Sequence, residues 1–441
     1  MTKKLFPVLL ILLVGFSWGN VFYRGYTIPR QYDSYICDAE QLEESELYYR
    51  AVEEYKNAYN IKASVNIYDK ILDCYDIMGD EDELIQGCLN GIEIYPDYEK
   101  TYERILRYYS NKDENDFVRY AAQFKTKFPK NEIINEYYKQ AAKITYVSDF
   151  MEEKPYILSQ NMYMYYEEEY DYDLDESRKY AVVKDFDGRK IFSGEYKKIR
   201  IADDGYFVQD SEGKWEIVNE KGFVVQKCDK DTITDIVGKA AGYYIVIDNG
   251  KYRFMNNEMK LSENSYDYIS NSSEGIYAVC KAGKWALVQD SVMNYEGEYV
   301  YDNIEINSQG QCCVNDRIVV QKNGKYEIIN KKEEEILVCE NELKAYEDNQ
   351  PTVFKVDDAF GFIYKNGNTF IKNTFQDALP YKQGIAAINV DGKWGYIDLY
   401  GNIIIQPQYE EVTSLISEGK VFVKEKDKYW QIITIPLFAN T

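Results

Sequence analysis

Apolar and polar positions change rhythm along the chain. Lys3 and Lys4 precede an apolar run from Leu5 to Trp18 that is broken only by Gly15 and Ser17 and resumes at Val21, Phe22 and Tyr23. At ~1.5 Å per helical residue, the stretch Leu5 to Tyr23 is long enough for a hydrocarbon core of ~30 Å. Between residues 38 and 147 the apolar positions recur at three and four, as in Ile67, Ile71, Leu72, Tyr75 and again in Ile105, Leu106, Tyr109. That period predicts amphipathic helices. Residues 148–179 carry no such period. Tyr163 to Tyr172 is almost wholly Tyr, Glu and Asp, and the segment reads as an acidic, Tyr-rich linker. Asp171, Asp173 and Asp175 alternate like the first half of a calcium loop, but Glu176 and Val182 stand where that loop needs its glycine and closing glutamate.

From residue 180 to about 435 the pattern becomes short apolar runs split by glycine-containing turns. Tyr277-Ala278-Val279-Cys280, Ala282-Gly283 and Trp285-Ala286-Leu287-Val288 form a hairpin signal. The pattern repeats. Anchors at Tyr180, Lys214, Lys251, Lys284, Lys325, Ala359, Lys393 and Lys428 are separated by 34, 37, 33, 41, 34, 34 and 35 residues. The residue after each anchor from the second onward is aromatic: Trp215, Tyr252, Trp285, Tyr326, Phe360, Trp394 and Tyr429. A lone hairpin cannot bury its own face, so these aromatics are expected to pack between one unit and the next. A carbohydrate-stacking ladder is the other use of such a series.

The unit Gly392-Lys393-Trp394-Gly395-Tyr396-Ile397-Asp398, continuing to Gly401 and Pro407-Gln408-Tyr409, resembles the WG-repeat (KWG) family, named for its Trp-Gly pair. Trp215 and Trp285 keep Gly-Lys-Trp but are followed by Glu216 and Ala286, and Phe360-Gly361 keeps only the glycine. The resemblance implies an all-β repeat array of a largely bacterial family, with no catalytic residues to carry over. Seven or eight units of this length suit a closed β-propeller; an open β-solenoid is the alternative. The first copy lacks an early strand and the last ends after its second, as ring closure requires. In the helical region, Tyr95-Pro96-Asp97-Tyr98 and Phe128-Pro129-Lys130-Asn131 lie 33 residues apart at equivalent places. Helix pairs stopped by proline at that period resemble tetratricopeptide repeats, which implies a curved surface for peptides or proteins; a plain helical spacer fits equally. The expected order is therefore α then all-β: residues 1–23 a signal anchor or signal peptide, 38–147 TPR-like repeats, 148–179 linker, 180–435 WG-repeat array.

The chain has 441 residues, 52 Lys and Arg against 75 Asp and Glu, a net charge of −23 and no histidine. The acidity argues against nucleic acid as a partner, because phosphate neutralisation needs a basic face. Without histidine there is no Ser-His-Asp or Cys-His nucleophile system and no histidine zinc ligand. Cys37, Cys74, Cys88, Cys228, Cys280, Cys312, Cys313 and Cys339 include no CxxC pair. Catalytic residues, cofactor and metal are each expected to be none. The two lysines before the apolar run place the N-terminus inside and the rest outside the cytoplasm, as a single-pass anchor; cleavage after Gly19, with Ser17 at the other small-residue position, gives a secreted protein instead. The expected function is binding, without catalysis, of a protein, peptide or cell-wall glycan. The alternative is a propeller-type glycoside hydrolase with paired carboxylates.

Overall fold

The computed structural model describes residues 28–171, 175–228, 231–425 and 429–439, so the N-terminal apolar run and Lys428 lie outside the described residues. Contacts divide the chain into two compact units, up to Ala141 and from Ala142 onward.

The first unit is helical: α1 Ile28–Glu44, α2 Tyr48–Ile61, α3 Val65–Met78, α4 Glu81–Ile94, α5 Glu99–Tyr109, α6 Glu114–Lys127 and α7 Glu132–Ala142. The ends follow local chemistry. Ser64 caps α3 by accepting the Ile67 N–H, and Gly79 ends it at φ 68°. Asp80 and Asp113 cap α4 and α6 in the same way. Pro96 and Pro129 follow α4 and α6, where they stop helix continuation. The apolar stripe of α3 (Ile67, Ile71, Leu72, Tyr75) is buried, as are Ile105 and Leu106 of α5. Beside it runs an ionic seam. Asp69, Asp73 and Asp76 of α3 lie one helical turn apart and meet Lys100, Arg104 and Arg107 of α5. Arg104 is nearly buried, 2.6 Å from Asp69.

The second unit is an eight-bladed propeller of antiparallel sheets. Blades 1 to 8 span residues 156–194, 198–227, 233–255, 268–289, 303–339, 342–375, 377–409 and 411–434. Blades 3 and 4 have three strands and the others four. The eighth is completed by Tyr146–Met151, which pairs antiparallel with Trp430–Thr434. The first strands of successive blades reach one another: Lys198 and Arg200 meet Asp235, and Lys344 meets Asp377. Such contacts arise where blades converge, so first strands lie on the axis side and the closing strand lies outermost.

Residues 148–179 are not a linker. They hold the closing strand and the strands Tyr156–Ser159 and Met162–Asp171 of blade 1, whose hairpin pairs Tyr163 with Lys184 and Tyr166 with Ala181. Tyr163 and Tyr165 are buried while Glu167 to Glu169 are not. The acidic composition belongs to the outer half of a hairpin whose base packs into the ring. The β unit thus begins well before residue 180.

Candidate functional site

The repeat aromatics come to different ends. Trp215 is 1% exposed among residues of blades 2 and 3, its indole N–H donating to the Ile233 carbonyl at 3.1 Å. Tyr252, Trp285, Tyr326 and Phe360 are half-buried, each against a cluster shared by its own blade and the next. Trp394 is half-buried, in register with Asn389 and Tyr409. Tyr429 is 49% exposed and is not a core aromatic; Trp430, at 2%, takes that place. The cause is register. The aromatic pairs five positions on in Cys280↔Trp285 and Asn389↔Trp394, but six on in Gln209↔Trp215 and Lys424↔Trp430. In blade 8 the extra turn residue moves the inward place one position on, from Tyr429 to Trp430, whereas in blade 2 Trp215 still faces the next blade.

The rest of the motif holds the blades together. In the hairpin turns Ala282-Gly283, Asn323-Gly324 and Asp391-Gly392 both residues have φ between 51° and 78°, the geometry of a type I′ turn. The lysine after the glycine reaches the acid that precedes the next blade's first strand: Lys251 to Asp267, Lys284 to Asp302, Lys325 to Glu340, Lys393 to Glu410. The same acid takes turn amides from the next hairpin, as when Gly324 N–H donates to Asp302. Lys251 holds the Asp267 carboxyl below its ordinary range, and Lys284 with the Gly324 amide does the same for Asp302. In the copy where Ala359 replaces the lysine, the acid is replaced too. Gln376 stands there, and its Oε1 still accepts the Gly392 N–H at 2.7 Å. The glycine of the Trp-Gly pair has its own reason. A Cβ on Gly395 would lie 2.4 Å from the Ile405 carbonyl oxygen and one on Gly361 2.6 Å from that of Ile371, where the outer strand folds over them at a register shift. At Glu216 the outer strand pairs without a shift, and in three-stranded blade 4 no outer strand pairs over Ala286, so a side chain fits at both.

Charged groups gather on the axis side of blades 5 to 7. The Glu305 carboxyl takes a hydrogen bond of 2.6 Å from Asn303 Nδ2, and burial, with the nearby Glu342 charge, pushes its pKa up. Lys344 Nζ lies 2.9 Å from Asp377 and 2.7 Å from the Ala378 carbonyl. Burial, with the Glu305 and Glu342 charges, raises the Tyr326 hydroxyl to about 12. In the loops after the first strands, Lys382 is 8% exposed and its Nζ lies 4.0 Å from Glu347, whose oxygens already accept from the Ser308 N–H and hydroxyl at 2.8 and 2.7 Å. Burial lowers the Lys382 pKa. None of these residues sits in a sequence motif; only their place beside short apolar first strands marked them. The Glu305–Glu342 pair could donate and accept protons, and it could hold a cation. Among the described residues no cluster of three or more Cys, Asp or Glu side chains is placed to bind a metal, and no helix is long and apolar enough to cross a membrane.

The family model described as WG containing repeat matches residues 265–285, 360–394 and 394–429, so the chain carries WG repeats. A comparison with curated proteins finds no match. Among solved structures, BamB from Moraxella catarrhalis is 9% identical, with 66% of this chain and 100% of that one covered at a TM-score of 0.41. Hsv2 of Kluyveromyces lactis is 8% identical, covering 65% and 97% at 0.34. The Pan2 WD40 domain of Neurospora crassa is 10% identical, covering 65% and 90% at 0.32.

Proposed function

We propose that the protein is an extracytoplasmic interaction scaffold, anchored or secreted by its N-terminal segment, that binds a protein, peptide or cell-wall glycan through its repeat surfaces and catalyses nothing. The observation that carries this reading is the clasp: the motif's lysines, acids and glycines are engaged between blades, which makes the ring a rigid platform for recognition. Lys3, Lys4 and the apolar run support the placement. Two tests address it. Protease added to intact cells should remove the propeller and leave a membrane-bound N-terminal fragment; a propeller digested only after lysis overturns the placement. Crosslinking on the native surface, followed by mass spectrometry, should recover a partner or glycan on the propeller.

One observation favours the hydrolase. Burial, with the Glu342 charge nearby, raises the pKa of the Glu305 carboxyl, the direction that a general acid needs. Turnover of a polysaccharide by the full chain, abolished in Glu305→Gln and Glu342→Gln, would replace the scaffold reading. No turnover, with partner capture intact in both variants, supports it.

A further inference from the structure

A second recognition site lies in the helical unit, apart from the WG repeats. Where α4 passes into α5, the turn Tyr95-Pro96-Asp97-Tyr98 and the end of α4 at Ile94 face Val65 in the first turn of α3 and line an open pocket of about 350 Å3. That is near the small end of ligand pockets, ~300–1,000 Å3, and suits one or two side chains. Its aromatic walls are held in place through their hydroxyls. Tyr95 shares a hydrogen bond of 2.9 Å with Tyr59, and Tyr59, Tyr68 and Tyr95 stand in a row with ring centroids 5.6 Å apart. The Tyr98 hydroxyl is tied to Asp69, which Lys100 and Arg104 fix in turn. Such walls need little ordering when a ligand arrives.

The lining has a sign. It contains Asp97, an exposed carboxylate, and no basic residue. Ring faces are negative as well, and residues 28–142 hold 14 Lys and Arg against 24 Asp and Glu, a net charge of −10. The Asp69 carboxylate behind Tyr98 is already matched by Lys100 and Arg104, which leaves Asp97 as the acid facing the pocket.

We infer that this pocket takes an arginine side chain from an extended segment of a partner protein. Its guanidinium would stack on the tyrosine rings and fork onto Asp97, and its methylenes would lie along Ile94, Pro96 and Val65. Lysine is the poorer occupant, because its compact ammonium neither stacks nor forks. The inference rests on the reading of the chain as a binding protein, but the two fail separately, since this site uses no propeller residue.

The test is saturation-transfer NMR on the full chain in detergent with N-acetyl-arginine-N-methylamide, and with the isosteric neutral citrulline derivative as comparison. The arginine derivative should receive transfer along its side chain and bind at least about fivefold more tightly than citrulline. Asp97→Asn, at an exposed position, should weaken it about two- to fivefold, and Ile94→Ala should weaken both derivatives without unfolding α4. Equal binding of arginine and citrulline overturns the inference. So does an Asp97→Asn variant that binds like the wild type, or no transfer at tens of millimolar. Loss of partner capture in propeller variants, with arginine binding intact, would fault the propeller surface and leave this site standing.

Discussion

At the scale of single residues, one hydroxyl, methyl or register step decides what an aromatic does. Trp430 is buried among Met151, Tyr163, Phe422 and Ile432, while its neighbour Tyr429 points to solvent. Trp430→Ala should therefore destabilise the propeller by about 3–5 kcal/mol in a denaturant melt, the cost of removing a large core aromatic. Tyr429→Ala should stay within about 0.5 kcal/mol of the wild type. Equal effects would mean that both side chains share the core. Along the sequence the two could not be told apart, because counting from the lysine assumes a turn of constant length. A separation of five residues between strand partner and aromatic recurs in blades 3 to 7, and the longer turn of blade 8 moves the buried aromatic one residue past the counted place. By the same logic the anchor lysines were visible at their spacing, but their partners were not: Asp267 and Asp302 lie 16 and 18 residues on, in segments with no pattern of their own.

At the scale of elements, the hairpin turn and the clasp act together. Ala282 holds φ 52° in a type I′ turn where a side chain is disfavoured, so Ala282→Gly should raise stability by up to about 1 kcal/mol, seen as a higher denaturation midpoint at unchanged slope. Gly395→Ala should cost about 1–3 kcal/mol, because the Ile405 carbonyl and the Pro407 nitrogen are backbone and cannot step aside. The clasp also sets a pH response. Asp267 and Asp302 have folded-state pKa values below the unfolded ~3.9. Their contribution is present above that value and is lost as pH falls through the folded pKa. Thermal melts of the wild type should fall steeply below about pH 4, and Lys284→Met should flatten that fall. An unchanged acid limb in Lys284→Met would show that the Asp302 clasp adds nothing. The helices were readable from their period and prolines, and the hairpins from X-Gly turns. The stretch 148–179 was not, because half of its hairpin is solvated and its acids hide the apolar alternation of Tyr163 and Tyr165.

At the scale of the whole molecule, the ring closes through a strand that comes 279 to 288 residues before its partners in sequence: Met151 pairs with Trp430 and Tyr146 with Thr434. The missing piece of the last copy announced closure, whereas the first copy is complete with four strands in blade 1; the strand that fills the gap carries no repeat motif, and its Tyr-Val-Ser-Asp-Phe-Met gives too short an alternation to name. Solenoids lose a terminal unit gradually, since each unit contacts only its neighbours. A ring is different, because freeing one strand opens an edge on both the last blade and the seam with the first. A chain starting at Lys143 keeps the closing strand, and one starting at Tyr156 lacks it. The shorter chain exposes the backbone edge of Gln431, Ile432 and Ile433, a template for pairing with other molecules. It should melt lower by several degrees and form dimers or larger species in size-exclusion chromatography, while the longer chain stays monomeric. If both chains melt together as monomers, the closing strand is an ornament on a ring already held by its clasps, and the cooperativity of the propeller comes from Lys284–Asp302 and its equivalents rather than from the seam.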